Sequence, residues 1–435
     1  MELPDSFTSE MDVLLDCVRY ALAGLAGRKG EALRPGSGQA GDSRDEPFDS
    51  AQGRQGGAGG GRGEGIRFRE TNVVVAAAIR AGLKTIDPDT LVDLANAHRV
   101  MPLLYRALRD LVQDTACKTQ GEALEHGPAR LKRLFLLNAA RNIRMTEELC
   151  RILRLFEEKG IKAIPIKGPV LAVQAYGSLA MRQFDDLDLL LRREDMIPAS
   201  KVLRGEEYEP YLELDPGQAR AYVRSGQDWP FVNRQVGTGL DLNSSIISHA
   251  LPQFATVDEL VTRCECQTVE EHEVTGLAAD DVFLTLCVHG THHGWERLSW
   301  LADVAALAVS ESTPDLSSIR QKAREAGLES AVVLALQLLS DKLGLSLADP
   351  APPSSGPSCP FLTRLPSFSL WRFQFAVLDG WRHKLRFVTR RLFVPSQVEW
   401  RSFPLPGWLC RAHYFIRPIR LVCAFFRPAP ETATD

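Results

Sequence analysis

The chain has 435 residues, of which 45% are hydrophobic and 24% charged, an ordinary composition for a globular protein of two or three domains. Its formal net charge of −4 is too small to indicate nucleic acid as a partner. The nine cysteines are odd in number and lie mostly in apolar stretches, so we expect reduced thiols. The acidic N-terminus is unlike a secretory signal, and no apolar run approaches the ~20 residues of a membrane-spanning helix. We therefore expect a cytoplasmic protein.

Helices are predicted throughout the N-terminal part of the chain. Apolar residues recur at helical spacing over 12–23 and again over 129–158. Between these segments, Asp87 and Pro88 have the pattern of an N-cap followed by a first helical residue. Pro102 is expected to split the helical stretch that follows into two helices.

A glycine-rich segment interrupts this helical region. Residues 30–65 contain 12 glycines and almost no apolar side chains. Such a segment cannot offset the entropy lost on ordering, so we predict a flexible insert over about 30–68. It lacks the Lys-Ser/Thr pair of a phosphate-binding loop.

The pattern changes to alternating strands and helices after residue 160. Strands are predicted at 161–166, 186–191 and 236–247. Short helices are predicted at 169–176 and 194–203. Further helices are predicted at 279–289, 298–309, 316–326 and 328–343.

The strand at 186–191 carries two carboxylates inside an apolar run. Because side chains alternate along a strand, Asp186 and Asp188 point to one face while Leu187 and Leu189 point to the other. Two carboxylates on one face repel each other and stay ionised only if a cation compensates them. Mg²⁺, which binds through one or two carboxylates plus substrate phosphates, is the natural candidate, with Mn²⁺ as a substitute. A solvent-facing edge strand with scattered aspartates is the plainer alternative.

Features on both sides of this strand favour a phosphate site. Lys167 and Gly168 stand between a strand and a helix, and a helix N-terminus presents free N–H groups to a phosphate. Arg182 adds a cation just before the aspartates. Asp241, in a later predicted strand, could bring a third carboxylate and complete a two-metal site for in-line phosphoryl transfer.

These segments resemble a known family. The run "IPIKGPVLAVQAYGSLAMRQFDDLDLLL" is similar to an uncharacterised bacterial nucleotidyltransferase family of the polymerase-beta-like superfamily. The resemblance continues in "LANAHRVMPLLYRAL", "CVHGTHHGWERLSWLADVAAL" and "SFPLPGWLCRAHYFIRPIRL". Two departures stand out. Lys167-Gly168 replaces the superfamily's Gly-Ser or Gly-Gly turn, and Asn243 replaces the histidine that tends to follow the third aspartate.

The resemblance implies a fold, a reaction and residue roles. It implies an α+β fold, with a central mixed β-sheet core flanked by N-terminal and C-terminal helical regions. It implies a metal-dependent transfer of a nucleoside monophosphate from an NTP to an unidentified acceptor hydroxyl. Asp186, Asp188 and Asp241 would be catalytic metal ligands, and Lys167, Gly168 and Arg182 would bind the nucleotide. The expected division of the chain is a helical region at 1–128, a nucleotidyltransferase core at 129–274, a helical domain at 275–348, a linker at 349–367 and a basic, aromatic tail at 368–435.

Two alternatives for the function stay open. Metal-dependent glycosyltransferases also use Asp-x-Asp to hold a nucleotide-sugar through a divalent ion, although they need an N-terminal α/β half. A catalytically silent interaction protein could keep the same fold. Unpaired carboxylates on a buried face argue against the silent alternative, because they are unfavourable without a metal.

Two other regions carry candidate residues. His289 and His293 are four residues apart and could form a zinc site, pack helix against helix, or line the substrate cleft. Asp303 is expected to pair helices. Residues 371–427 carry 11 lysines and arginines against two acidic residues, a net charge of +9, interleaved with aromatic residues. This tail could pack on its own chain, lie on an anionic membrane surface or, on a weaker signal, bind nucleic acid.

Overall fold

The computed structural model describes residues 5–32, 67–68, 72–113, 127–346 and 359–425. Its N-terminal elements are α1 (Asp5–Ala32), β1 (Arg67–Phe68), α2 (Asn72–Gly82), α3 (Pro88–Ala97), α4 (Met101–Gln113) and α5 (Gly127–Glu158). The helices predicted at 12–23 and 129–158 are confirmed with longer bounds. The predicted insert lies largely outside the described residues, which omit 33–66. At its two ends, α1 includes residues 30–32 and β1 includes residues 67–68.

The predicted start of α3 is confirmed. The Asp87 carboxylate accepts a hydrogen bond from the Thr90 N–H at 2.9 Å, and Pro88 occupies the first turn. The chain then leaves the helix and re-enters it at Met101, so the predicted split near Pro102 is also confirmed. Between the two helices, Arg99 adopts a φ of +56°. This turn carries Arg99 to the rim of the cleft described below.

A five-stranded mixed sheet forms the centre of the fold. Its order is β2-β3-β6-β5-β4, in which β3 and β6 are parallel and all other neighbours are antiparallel. The elements of this region are β2 (Ala163–Pro165), α6 (Gly168–Tyr176), β3 (Asp186–Leu191), α7 (Met196–Gly205), β4 (Glu209–Pro210), α8 (Pro216–Ser225), β5 (Trp229–Asn233), β6 (Thr238–Asn243), α9 (Val257–Arg263), β7 (Glu265–Val269) and β8 (His272–Gly276). The α+β prediction with a central mixed sheet is confirmed.

The strand predicted at 236–247 is longer than the observed strand β6, and its antiparallel neighbour β5 was not predicted. β6 covers only Thr238–Asn243, because residues 234–237 form the turn that joins it to β5. Gly237 has a φ of +72° in this turn, and its N–H bonds to the Asn233 carbonyl at 2.8 Å. β5 contains Pro230, which has no N–H to donate, so its sequence does not resemble an interior strand.

The two faces of the sheet have different neighbours. Leu187 and Leu189 of β3 and Leu240 and Leu242 of β6 are buried in a core shared with α5, α7 and α8. Alternation along the strands therefore turns the aspartates of β3 and β6 to the opposite face.

Four helices follow the sheet, and residues of the first two line the cleft on the face that carries the aspartates. They are α10 (Ala279–His292), α11 (Leu298–Val309), α12 (Leu316–Ala326) and α13 (Glu329–Leu343), followed by β9 (Leu345–Ser346), which pairs with β1. All four helices match predictions, and α10 runs three residues beyond its predicted end. Helix α11 packs against both α6 and α10.

The tail helices pack on the rest of the chain. They are α14 (Ser367–Val377), α15 (Trp381–Phe393), α16 (Gln397–Ser402) and α17 (His413–Phe425). The buried Glu399 carboxylate accepts hydrogen bonds from Arg417, at 2.8 Å, and from Arg420. Trp400 is buried in the same core as Leu187 and Leu240, on the face of the sheet opposite the aspartates. Of the linker predicted at 349–367, residues 349–358 lie outside the described residues, and α14 begins at its last position. Across the described ranges, no helix has the length and apolar character to span a membrane.

Candidate active site

Strand register brings the three predicted aspartates together. Asp188 of β3 pairs directly with Asp241 of the parallel strand β6, and Asp186 pairs with Gly239. All three aspartates line a cleft of ≈ 460 Å³. We call it the carboxylate cleft. The Asn243 amide donates a hydrogen bond of 3.4 Å to Asp188 Oδ1, so Asn243 contacts the Asp-x-Asp pair.

A fourth carboxylate, Asp228, also lines the cleft. It stands just before β5, whose Pro230 is in register with Asp241. Solvent reaches Asp228 through the cleft, although protein atoms surround it closely. Sequence pattern did not predict β5, and so it did not mark Asp228, the residue immediately before that strand.

The crowding of these carboxylates changes their protonation. Burial and the charges of Asp188, Asp186 and Asp228 raise the pKa of Asp241 to about 8. Burial and Asp188 raise the pKa of Asp228 to about 7. The same two causes raise the pKa of Asp186. Without a bound cation, Asp241 therefore stays largely protonated at pH 7, and Asp228 is about half protonated.

Lys167 and Gly168 begin α6 at the edge of this cleft, as predicted. Gly168 has a φ of +59°, a conformation that favours glycine, and its Cα faces the Asp186 carbonyl of β3. The Lys167 ammonium donates to Nδ1 of His289 at 3.1 Å. The charge of Lys167 also lowers the pKa values of Asp228 and Asp241, opposing the larger effect of burial. Lys167 is thus a cation facing the carboxylates.

Arg182 also lines the cleft, but its charge is already paired. Its Nε and Nη2 each donate to the buried Asp303 carboxylate at 3.0 Å. The Tyr176 hydroxyl donates to the same carboxylate at 2.8 Å. Nη1 of Arg182 is buried and has no hydrogen-bond partner among the described residues. Asp303 thus pairs helix α11 with the segment before β3, as predicted.

Two further arginines at the cleft escaped the sequence analysis. Arg99 forms an ion pair with Asp185. Arg297 lies over the ring of Trp300, with 5.8 Å between its guanidinium carbon and the ring centre. Both come from segments far from the aspartates in sequence, so no local pattern marks them.

His289 and His293 line the cleft together with His292. The rings of His289 and His293 are 4.6 Å apart, and both contact Trp300. Burial, followed by the charge of Lys167, lowers the pKa of His289 well below its ordinary value and that of His293 to about 4. These imidazoles are therefore neutral at pH 7. In the described part of the chain, no group of three or more His, Cys, Asp and Glu side chains is arranged to hold a metal ion by itself.

Comparison with known proteins identifies the family of the chain. No curated protein matches it. A family model described as "Uncharacterised nucleotidyltransferase" matches residues 84–344, which is more than half of the chain. The matched range runs from just before α3 to the end of α13 and contains the whole mixed sheet and every residue of the carboxylate cleft. The chain belongs to this uncharacterised nucleotidyltransferase family.

Proposed function

We propose that the protein transfers a nucleoside monophosphate from an NTP to an acceptor hydroxyl, in a reaction that depends on a divalent metal ion. The observation that carries this proposal is the register of β3 and β6, which sets Asp188 beside Asp241 in the cleft that Asp186 also lines. A third carboxylate from a second strand separates such a site from a chance Asp-x-Asp pair.

The donor atoms in the cleft suit Mg²⁺ or Mn²⁺. Carboxylate oxygens are the ligands that these ions prefer, and a bound cation would reverse the rise in the pKa values of Asp186 and Asp241. Enzymes of phosphoryl transfer commonly hold Mg²⁺ with one or two carboxylates, and the substrate phosphates and water complete its coordination. Asp186 and Asp188 would hold the ion, with Asp241 as a third ligand in a two-metal arrangement.

Other residues of the chain bind the phosphates and act on the acceptor hydroxyl. Lys167 and the free N–H groups at the start of α6 bind the phosphates of the NTP. Asp241 orients the acceptor hydroxyl and accepts its proton. The acceptor oxygen bonds to the α-phosphorus as the bond between that phosphorus and the bridging oxygen breaks, and pyrophosphate leaves. The metal supplies neutralisation of the phosphate charge when it is bound. Arg182 acts mainly on the fold, because Asp303 already pairs it.

A binding experiment tests the metal site. Asp186→Asn with Asp188→Asn should abolish Mg²⁺-dependent NTP binding measured by calorimetry, because the pair supplies the metal ligands. The metal-free variant should melt at the same temperature as the wild type or higher, since it lacks the repulsion between the two carboxylates.

The matched control changes two exposed aspartates of α3, Asp89→Asn with Asp93→Asn, and should bind NTP normally. Unchanged metal-dependent NTP affinity in a folded D186N/D188N protein would reject the site. Binding of nucleotide-sugars in preference to NTPs would favour the glycosyltransferase alternative, which the helices before residue 158 argue against. Normal binding without any transfer would favour the catalytically silent alternative.

A further inference from the structure

A second cavity, of ≈ 630 Å³, lies next to the carboxylate cleft. Five arginines line it, three from the core and two from tail helix α15. They are Arg192, Arg193, Arg224, Arg386 and Arg390. We call this cavity the arginine pocket. The acidic residues in its lining are Glu194 and Asp258, and Asp258 is engaged with Arg192 at 2.6 Å.

The positive charge of the arginine pocket is largely uncompensated. Among the described residues, Arg193, Arg224, Arg386 and Arg390 form no ion pair with a carboxylate, and Arg390 donates to the His249 carbonyl at 2.7 Å. Burial, followed by the charges of Arg386 and Arg193, lowers the pKa of Arg390. A cluster of arginines that lacks acidic partners is well suited to phosphate, whose oxygens match the guanidinium geometry.

The arginine pocket and the carboxylate cleft share a wall. Ser245 and Ile246 line both cavities. Ser245 Oγ itself is buried and has no hydrogen-bond partner among the described residues. Ser245 follows Asp241 by four residues, and four residues span at most about 14 Å. Asp241 therefore lies within a small molecule's length of the wall that the two cavities share.

We propose that the arginine pocket binds a phosphate group of the acceptor, so that the hydroxyl of the same molecule reaches Asp241. The acceptor would then be a small phosphorylated molecule with a free hydroxyl. The charges support this orientation, because the arginines of the pocket attract an anion. This inference rests on the proposed nucleotidyl transfer, but its first test needs neither metal nor nucleotide.

The first test measures binding of inorganic phosphate by calorimetry in the presence of EDTA. Wild-type protein should bind phosphate, and Arg193→Gln with Arg386→Gln should weaken that binding at least about tenfold, since two charge-assisted contacts are lost. Arg372→Gln with Arg382→Gln removes the same charge from exposed tail positions outside the pocket and should leave the affinity unchanged. D186N/D188N should also keep it. Equal phosphate affinity in the R193Q/R386Q protein and the wild type, absence of phosphate binding, or its loss only in D186N/D188N would overturn the inference.

The second test concerns the acceptor. Small molecules from a cell extract are treated with alkaline phosphatase, the phosphatase is removed, and α-labelled NTP, Mg²⁺ and protein are added. Labelling of a small molecule should disappear after this treatment, whereas a persistent labelled product would overturn the phosphorylated acceptor. If no extract is ever labelled while R193Q/R386Q has lost phosphate binding, the proposed transfer fails and the anion site stands.

Discussion

Arg182 was expected to bind the nucleotide, and its surroundings give it a structural task as well. Its guanidinium and the Tyr176 hydroxyl converge on Asp303, whose side chain is only 1% exposed. Removing one member of such a buried pair leaves the other charge without compensation, which is far less favourable than losing a surface pair. The pair also fixes the guanidinium at the edge of the carboxylate cleft.

We therefore predict that Asp303→Asn lowers the free energy of unfolding by about 3–5 kcal/mol, because Arg182 would be left as an unpaired buried cation. Denaturant unfolding followed by circular dichroism measures this change. Arg204→Gln, which removes a more exposed pair with Glu213, serves as the control and should unfold at nearly the wild-type denaturant concentration. Equal midpoints for the two variants would show that the Asp303 pair adds nothing to stability.

Local sequence pattern predicted some of the residues that line the carboxylate cleft and could not predict others. Alternation along β3 predicted the shared face of Asp186 and Asp188, and an equally local pattern marked Asp241. Asp228 reaches the cleft because it precedes β5, a strand whose Pro230 hides it from sequence pattern. Arg99 reaches the cleft through a turn in which it has a positive φ, and no sequence pattern marks that turn. Their positions follow from the tertiary fold.

Among the elements, tail helix α17 has an unusual exposed face. Phe415, Ile419 and Val422 lie four and three residues apart on one side of the helix, and Phe415 is 73% exposed. In the same tail, Trp381 and Trp408 are 69% and 82% exposed. The tail therefore packs on its own chain through residues such as Glu399 and Trp400. This packing still leaves large apolar side chains exposed to water beside many arginines. That combination is typical of segments that lie on anionic membranes.

From this face we predict that the protein cosediments with vesicles containing phosphatidylserine, and that salt weakens the association. Replacing Trp381, Trp408 and Phe415 with serine should release most of the protein from the vesicles, because the apolar contacts are lost while the charge is kept. Serine at the exposed Val73, Leu136 and Leu137 of other helices is the control and should have no effect. No vesicle binding by wild-type protein would refute this prediction. Tighter binding to RNA or DNA would favour the nucleic-acid alternative, and self-association through the same side chains would identify the face as a dimer contact.

For the whole molecule, sequence pattern and family resemblance predicted the class of fold. Residues 298–309 and 316–326 were predicted with the bounds of α11 and α12, since strong helical periodicity and clear ends define them. The β7–β8 hairpin was missed because its two short strands, ECQTV and HEVTG, are rich in polar residues. The arginine pocket joins the matched family range to α15 beyond residue 344, a contact between distant segments that no local pattern encodes.

The most direct test of the central claim follows the fate of the α-phosphate. Wild-type protein is incubated with α-labelled or γ-labelled NTP, Mg²⁺ and extract small molecules, in parallel with Asp241→Asn and with the D89N/D93N control. We predict that label reaches an acceptor only from the α position, with release of pyrophosphate. D241N should bind Mg²⁺-NTP but transfer the label at least about 100-fold more slowly, because Asp241 acts on the acceptor hydroxyl. Label arriving from the γ position, or transfer by D241N at the wild-type rate, would contradict the account.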